Sequence, residues 1–163
     1  MPNDKYLYVV DDLYFDTYSF NNIAGNLENV DQASLDSQME FIKEEVNEFI
    51  KGHNEKNLVE TCDGVVDTLV TVFGYMQKLE SIYGIDWDDI MEAVALNNLS
   101  KYPESEQVAI ETVEYYKTQG VDTYYEYNQD YSRYVIKDSK THKVKKPLGF
   151  TSVDLKPYMP VLH

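Results

Sequence analysis

The sequence predicts a mainly α-helical protein with a small β-hairpin near its C-terminus. Apolar residues recur every three or four positions between residues 32 and 99, which is the spacing of one helix face. The polar breaks between these stretches are short, as in antiparallel helical bundles. After residue 120 a Tyr- and Val-rich alternation is interrupted at Asn128–Asp130, which is typical of a hairpin. We therefore expect an antiparallel four-helix-type bundle over residues 1–103, and a helix plus hairpin appendage over residues 104–163.

Periodicity and end signals predict five helices. Gly52 is expected to follow the second helix and Gly84 the third, because glycine readily adopts the left-handed backbone just beyond a helix C-terminus. The run Tyr6–Val10 is interpreted as a strand or a lead-in. The predicted helices are residues 11–22 with Asp11 or Asp12 as cap, Gln32 or Ser34 to Lys51, Lys56 to Tyr83, a segment capped by Asp86 and ending near Lys101, and residues 104–118.

Acidic side chains concentrate on the second and third predicted helices. Three glutamates of the second helix share one arc at the edge of its apolar face, and three acids of the third share a narrow stripe. The apolar neighbours of that stripe predict a helix buried over much of its circumference. Like charges at these spacings repel one another, and burying them is costly unless a cation or proton compensates. The six residues are Glu44, Glu45, Glu48, Glu60, Asp63 and Asp67.

The chemistry of these six side chains favours a hard divalent cation. They supply only carboxylate oxygens, which Mg²⁺ and Mn²⁺ prefer as ligands. The alternative is a solvated acidic face that merely keeps the helices soluble. Three acids on a helix with so many apolar neighbours are hard to explain by solvation, so a metal site is the favoured interpretation.

Composition limits the classes of function. The chain of 163 residues carries 29 acidic and 14 basic residues, a net charge of −15. This charge argues against a general basic surface for nucleic acid or anionic lipid. No apolar run approaches the length of a membrane span, and no secretory signal pattern is present. The single cysteine, Cys62, excludes an intramolecular disulfide and indicates the cytoplasm. We expect it to pack among apolar neighbours.

The acids follow a recognisable pattern, EExxE at Glu44–Glu48 and then ExxD at Glu60–Asp63. This pattern resembles the MazG-like all-α nucleoside triphosphate pyrophosphohydrolases. The extension DGVVD to Asp67 is similar to the family variant with DGxxD, and ALNNLSKYPE over residues 95–104 resembles the family's N-x-x-K segment. The resemblance covers about residues 11–104. Because the gap between the two motifs is short for the family, Asp63 and Asp67 both remain candidates for the last ligand.

The resemblance implies an enzyme that cleaves a nucleoside triphosphate between its α- and β-phosphates. It implies Mg²⁺, or alternatively Mn²⁺, as the cofactor, and assembly into dimers or tetramers. The implied metal ligands are Glu45, Glu48, Glu60 and Asp63, and the residues that complete the shell or orient the attacking water are Glu44, Glu45 and Asp67.

The N-x-x-K segment suggests substrate contacts. Asn98 and Lys101 are three residues apart near the end of the predicted fourth helix, so they point in the same direction. Taken alone, an asparagine there is a common helix terminator and a lone lysine is usually solvated. The resemblance implies instead that both contact the nucleotide, with Lys101 on a phosphate.

Several functions remain open. A deoxynucleotide, a dUTPase or dCTPase substrate, and a phosphoribosyl-ATP intermediate all fit the acid pattern. A different class is a non-catalytic acidic protein that binds a basic partner or mimics DNA, although such a protein has no need of an ExxD motif on a buried helix. The basic segment Lys137–Lys146 either holds phosphates or, as we favour, pairs with the acidic surface of the same or a neighbouring subunit.

Overall fold

The computed structural model describes residues 5–160, with side chains described from residue 10 onward. The described chain is mainly helical with one two-stranded antiparallel sheet near the C-terminus, which confirms the predicted fold class. The elements in order are α1 (Lys5–Ile23), α2 (Gln32–Asn54), α3 (Leu58–Tyr83), α4 (Trp87–Leu99), α5 (Glu106–Thr118), β1 (Thr123–Asn128), β2 (Arg133–Asp138) and a 3-10 helix (Lys156–Tyr158).

Two compact units divide the chain at the start of α4. The first unit contains α1, α2 and α3 and runs to Trp87. The second unit, Asp88–Tyr158, contains the rest of α4 together with α5, the hairpin and the 3-10 helix.

In the first unit, α2 and α3 pack against each other in antiparallel directions at very short distance. A Cβ atom added to Gly52 would lie 2.8 Å from the backbone nitrogen of Thr61, and one added to Gly64 would lie 2.8 Å from the Cα of Phe49. Real Cβ atoms do not approach backbone atoms so closely, so only glycine permits this contact. The two contacts set the register of the helix pair, because Gly52 faces the start of α3 while Phe49 faces a point one turn further along.

The helix ends follow from local sequence in three places and depart from prediction in one. Asp31 and Ser34 form a capping box at the start of α2, and the side chain of Asn57 caps α3. Gly84 adopts a left-handed conformation with φ of 66° and ends α3 as predicted. The prediction that Gly52 ends α2 is wrong. The helix continues to Asn54, and Gly52 is buried within it because α3 passes over that position.

Helix α1 packs on the C-terminal half of α3. The rings of Tyr14 and Phe73 meet edge to face at 5.4 Å between centroids. The Nδ2 of Asn21 donates a hydrogen bond of 3.0 Å to Gln77, whose Nε2 donates to the backbone oxygen of Tyr14 at 3.2 Å. Gly74 makes room for these buried amides, since a Cβ there would lie 3.3 Å from the Nδ2 of Asn21. Hydrogen bonds between buried polar groups therefore fix α1 on α3.

The start of α1 corrects a second prediction. The helix begins at Lys5, so Tyr6–Val10 is helical and is not a strand. Asp11 and Asp12 accordingly lie inside the helix and do not cap it. A strand needs a neighbouring strand for its backbone hydrogen bonds, whereas a helix satisfies them internally. The hairpin strands, which form the only sheet in the described chain, pair with each other.

The predicted burial of α3 is wrong for its N-terminal half. Leu58 is 74% exposed, Val66 46% and Leu69 40%, and Cys62 is exposed and not packed as expected. Helix α2 covers one side of α3, and the α1 side chains that the structure describes contact its C-terminal half. We call the remaining surface the apolar stripe; it consists of Leu58, Cys62, Val65, Val66 and Leu69.

The second unit is built around α5 and the hairpin. Ala109 of α5 and Ile136 of β2 are fully buried, and the Oγ1 of Thr112 accepts a hydrogen bond of 2.8 Å from the backbone of Leu148. The hairpin is confirmed, with Asn128 opposite Arg133 across its turn. The predicted fifth helix begins at Glu106, two residues later than expected, after Ser105 at the N-cap position.

The basic segment of this unit is partly neutralised locally. Lys137 forms an ion pair with Glu126 on the neighbouring strand, and Lys145 lies 3.1 Å from the carboxylate of Asp138. These two lysines therefore pair with acids of their own unit. A role of the remaining basic residues in holding phosphates or a neighbouring subunit stays a prediction.

Asp138 organises the turn that follows β2. Its carboxylate accepts hydrogen bonds from the backbone N–H groups of Lys140, at 3.0 Å, and Thr141, at 2.9 Å. These N–H groups and the Lys145 ammonium hold the pKa of Asp138 well below its ordinary value of 3.8. Hydrogen bonds to the ionised form are the cause, so the charged carboxylate stabilises the folded turn.

We predict that Asp138→Asn destabilises the protein at pH 7 and that the difference from wild type narrows in acid. The pKa is lower in the folded than in the unfolded chain, so the stabilisation is full above the unfolded value near 3.8 and is lost as the pH falls through the folded value. Thermal denaturation followed by circular dichroism between pH 7 and pH 2 measures the difference. Asp130→Asn, in the exposed hairpin turn, is the control, and a difference that does not change with pH would contradict the interpretation.

We also predict that Gly64→Ala destabilises the first unit by about 1–3 kcal/mol, as expected for overpacking a close contact. The added methyl group would meet the backbone of Phe49 at 2.8 Å, which forces the two helices apart. Urea denaturation gives the free energy of unfolding. Ser81→Ala, at an exposed position of the same helix, should change it by less than about 0.5 kcal/mol. A stabilised Gly64→Ala variant would show that α2 and α3 do not pack this closely.

Candidate metal and nucleotide site

The register of α2 and α3 surrounds one glutamate with acids from both helices. Glu45 is partly buried, and its pKa is raised first by desolvation and then by the negative charges of Asp67, Glu48, Glu44 and Asp63. Two of these acids belong to α3, so the charges approach Glu45 from both sides of the helix pair. A raised pKa of a carboxyl group means that the folded protein disfavours its negative charge. The site therefore carries negative charge that its own side chains do not compensate.

Beside this group, a hollow of about 970 Å³ opens between the end of α2 and the beginning of α3. This volume is within the range of small-molecule sites, about 300–1,000 Å³. The hollow combines carboxylates with the amines of two lysines and with amides, so its lining is mixed in charge. The side chains that matter for its chemistry are Glu44, Asn47, Glu48, Lys51, Asn57 and Glu60.

The predicted acids thus occupy two adjoining places. Glu45 lies among Asp63 and Asp67, whereas Glu60 lines the hollow. Glu44 and Glu48 belong to both, since they act on the pKa of Glu45 and also line the hollow. Across residues 10–160, no three acid, histidine or cysteine side chains converge as a ready-made metal site. Most of these carboxylates are solvent-exposed, so rotation about their side-chain bonds is what would bring them together on an ion.

Asn98 and Lys101 lie in the second unit and contact each other. Helix α4 ends at Leu99, so Lys101 follows the helix rather than extending it. Its ammonium group donates a hydrogen bond of 2.8 Å to the Oδ1 of Asn98. The two side chains therefore form one polar pair, and their role in binding a nucleotide stays a prediction.

Sequence reasoning missed two polar residues that line the hollow, Asn47 and Lys51. Both lie on the same arc of α2 as Glu44 and Glu48, because positions three and four apart share a helix face. The signal was present in the helical spacing.

In the portion of the chain that the structure describes, none of the helices combines the length and the apolar character that crossing a membrane requires. The cytoplasmic location inferred from the single cysteine stays a prediction.

Comparison with known proteins points to the same segment of the chain. Residues 26–98 match the family described as phosphoribosyl-ATP pyrophosphohydrolase. The chain is also 34% identical over 86 residues to the uncharacterized protein L479 of Acanthamoeba polyphaga mimivirus, an alignment that covers 50% of this chain and 34% of that protein. The chain thus spans about a third of the length of this curated relative. No solved structure matches the chain.

The family match contains α2, α3 and nearly all of α4. It includes all six predicted acids and Asn98, and it stops before Lys101. The helices that bring the acids together around Glu45 therefore belong to a segment similar to the phosphoribosyl-ATP pyrophosphohydrolase family, a family of nucleotide pyrophosphohydrolases.

Proposed function

We propose that this protein is a metal-dependent nucleotide pyrophosphohydrolase that cleaves a nucleoside triphosphate between its α- and β-phosphates. The products are a nucleoside monophosphate and pyrophosphate. The observation that carries the proposal is the crowding of carboxylates from α2 and α3 around Glu45, within the segment that resembles a pyrophosphohydrolase family.

The residues at this site fit a hard divalent cation such as Mg²⁺ or Mn²⁺. Their donors are all carboxylate oxygens, which these ions prefer. Each neighbouring carboxylate raises the pKa of Glu45, and a bound cation would offset that repulsion. We propose that Glu45, Glu48 and Asp63 hold the metal, with Glu60 reaching it from the wall of the hollow.

The helix register bears on the choice between Asp63 and Asp67 as the last ligand. Gly52 faces Thr61 and Phe49 faces Gly64, so continuing the antiparallel register places Glu45 close to the level of Asp67. Among the neighbouring acids, Asp67 also has the largest effect on the raised pKa of Glu45. Asp63 and Asp67 are one turn apart on α3, so we propose that both carboxylates contribute to the metal site.

The protein's own residues would position the reaction. When bound, the metal would neutralise the phosphate oxygens and lower the pKa of a coordinated water. Glu44 or Asp67 would orient that water and accept its proton. Asn98 and Lys101 would contact the nucleotide, with the Lys101 ammonium exchanging its bond to Asn98 for a phosphate oxygen.

The proposed substrate is a class of nucleotides and not a single compound. The similarity to the phosphoribosyl-ATP pyrophosphohydrolase family makes phosphoribosyl-ATP a candidate beside the common ribo- and deoxyribonucleoside triphosphates. The net charge of −15 opposes binding to nucleic acid and requires a cation wherever phosphates are bound.

We expect Mg²⁺ to raise the melting temperature of the wild-type protein by several degrees, because an ion at 100 times its dissociation constant stabilises the folded state by about 2.7 kcal/mol. Glu45→Gln and Asp67→Asn should abolish this increase. In EDTA, Glu45→Gln should melt above wild type, since it removes a charge that its neighbours repel. Differential scanning fluorimetry makes the comparison, with Asp36→Asn on the exposed side of α2 as control. An equal increase in all four proteins would contradict the site.

Two further variants of the site, Glu48→Gln and Asp63→Asn, test catalysis, again with Asp36→Asn as the control. The protein is incubated with Mg²⁺ and a panel of nucleoside triphosphates that includes phosphoribosyl-ATP, and products are separated by anion exchange. We expect monophosphate plus pyrophosphate as products. Activity should fall by about 100-fold or more in Glu48→Gln and Asp63→Asn and stay unchanged in Asp36→Asn. Diphosphate plus phosphate would show that a different bond is cleaved. No turnover with either Mg²⁺ or Mn²⁺ would overturn the proposal.

We further propose that the protein self-associates through the apolar stripe of α3, forming a dimer or tetramer. The stripe lacks charged side chains and keeps large aliphatic groups in water, which is unfavourable for a lone chain. Val66→Asp should shift the protein toward the monomer in sedimentation velocity, whereas Ile23→Asp, at an even more exposed apolar position outside the stripe, should not. A wild-type protein that is monomeric at all concentrations would contradict this.

A further inference from the structure

The hollow beside the acidic group contains cationic and amide groups that the metal does not need. Asn47 and Lys51 are one helical turn apart on α2, and Asn57 stands at the start of α3. All three line the hollow. We propose that Lys51, assisted by Asn47, forms a phosphate subsite that holds the β- and γ-phosphates of the substrate and then the pyrophosphate product. The inference rests on the proposed function.

The amine of Lys51 is available for an anion. Glu48 and Glu55 are three residues before it and four residues after it, positions from which helical ion pairs commonly form. Lys43 makes such a pair, with 2.6 Å between its amine and the carboxylate of Glu40. Within the described residues, the amine of Lys51 has no hydrogen-bond acceptor or ion-pair partner, although it lines the hollow beside Glu48.

The start of α3 adds to the positive character of this end. Asn57 caps the helix, accepting a hydrogen bond from the backbone N–H of Glu60. The first N–H groups of a helix and its dipole favour an anion at that terminus. Lys51 on α2 and the first turn of α3 both contribute to the same hollow, so two positive elements meet there.

The spacing along α2 gives the substrate a direction. Lys51 lies six residues after Glu45, which is about 9 Å along the helix axis. The scissile phosphate would be held at the acids around Glu45, and the phosphates beyond it would extend toward Lys51. The nucleoside would then extend the opposite way, away from the α2–α3 turn.

The charge of the hollow makes this subsite conditional on the metal. Five glutamates line it against two lysines, and one of these lysines is already paired. An anion alone is repelled, whereas a divalent cation on the carboxylates offsets most of this negative charge. Pyrophosphate should therefore bind only when Mg²⁺ is present, and Lys51 should add to that binding.

Isothermal titration of pyrophosphate into the full chain, with and without Mg²⁺, tests the inference. With Mg²⁺ we expect Lys51→Gln to weaken binding by about ten-fold or more, the usual effect of losing a hydrogen bond to a charged group. Lys56→Gln is the matched control, because it removes the same charge from the α2–α3 turn at a residue outside the lining of the hollow. In turnover, Lys51→Gln should raise KM more than it lowers kcat.

The Mg²⁺-dependent rise in melting temperature separates this inference from the proposed function. Lys51→Gln should keep that rise. Equal pyrophosphate affinity in Lys51→Gln and wild type, or equal weakening in both lysine variants, would overturn the subsite while leaving the metal site in place. Pyrophosphate that fails to bind to a Mg²⁺-stabilised wild-type protein would also overturn it. Loss of both the Mg²⁺ response and turnover in wild type would instead refute the proposed function.

Discussion

The close approach of α2 and α3 at Gly52 and Gly64 is the contact on which the first unit depends. Each glycine removes a methyl group that would otherwise collide with the backbone of the other helix. With the backbones this near, the register of the pair has little freedom. Because of that register, the acids of α3 face Glu45, and the end of α2 and the start of α3 enclose a hollow. The site is thus a consequence of backbone packing before any ligand is considered.

The sequence predicted most of the fold because its signals were local. Helical spacing, the Gly84 terminus and the Tyr-rich hairpin depend on neighbouring residues, and the structure has all three. Gly52 could not be interpreted correctly, since the same residue suits a helix end and a close helix contact, and only the position of α3 distinguishes the two. The exposed half of α3 was missed for a related reason. An apolar stripe indicates that something covers it, but not whether the cover belongs to the same chain.

The sequence predicted which acids of the candidate site share a helix face. It did not predict how these acids are divided between the group around Glu45 and the hollow. Spacing alone placed six acids on two helix faces, and four of them now surround Glu45. The separation of Glu60 into the hollow depends on the offset between the helices, which no single-helix wheel contains. Lys101 shows the same limit. Its spacing from Asn98 fits a helix, yet α4 ends between them and the two side chains bind each other.

All six acids lie between Glu44 and Asp67 on two consecutive helices joined by a three-residue turn. The contacts that assemble them are consequently short in sequence separation, and contacts of this kind form early and quickly during folding. A helical hairpin alone would then bring the carboxylates together before the C-terminal unit has been added to the chain. If the proposed metal site binds divalent cations, they would meet these carboxylates on a partly folded protein, and their binding energy would favour the correct helix register over a slipped one.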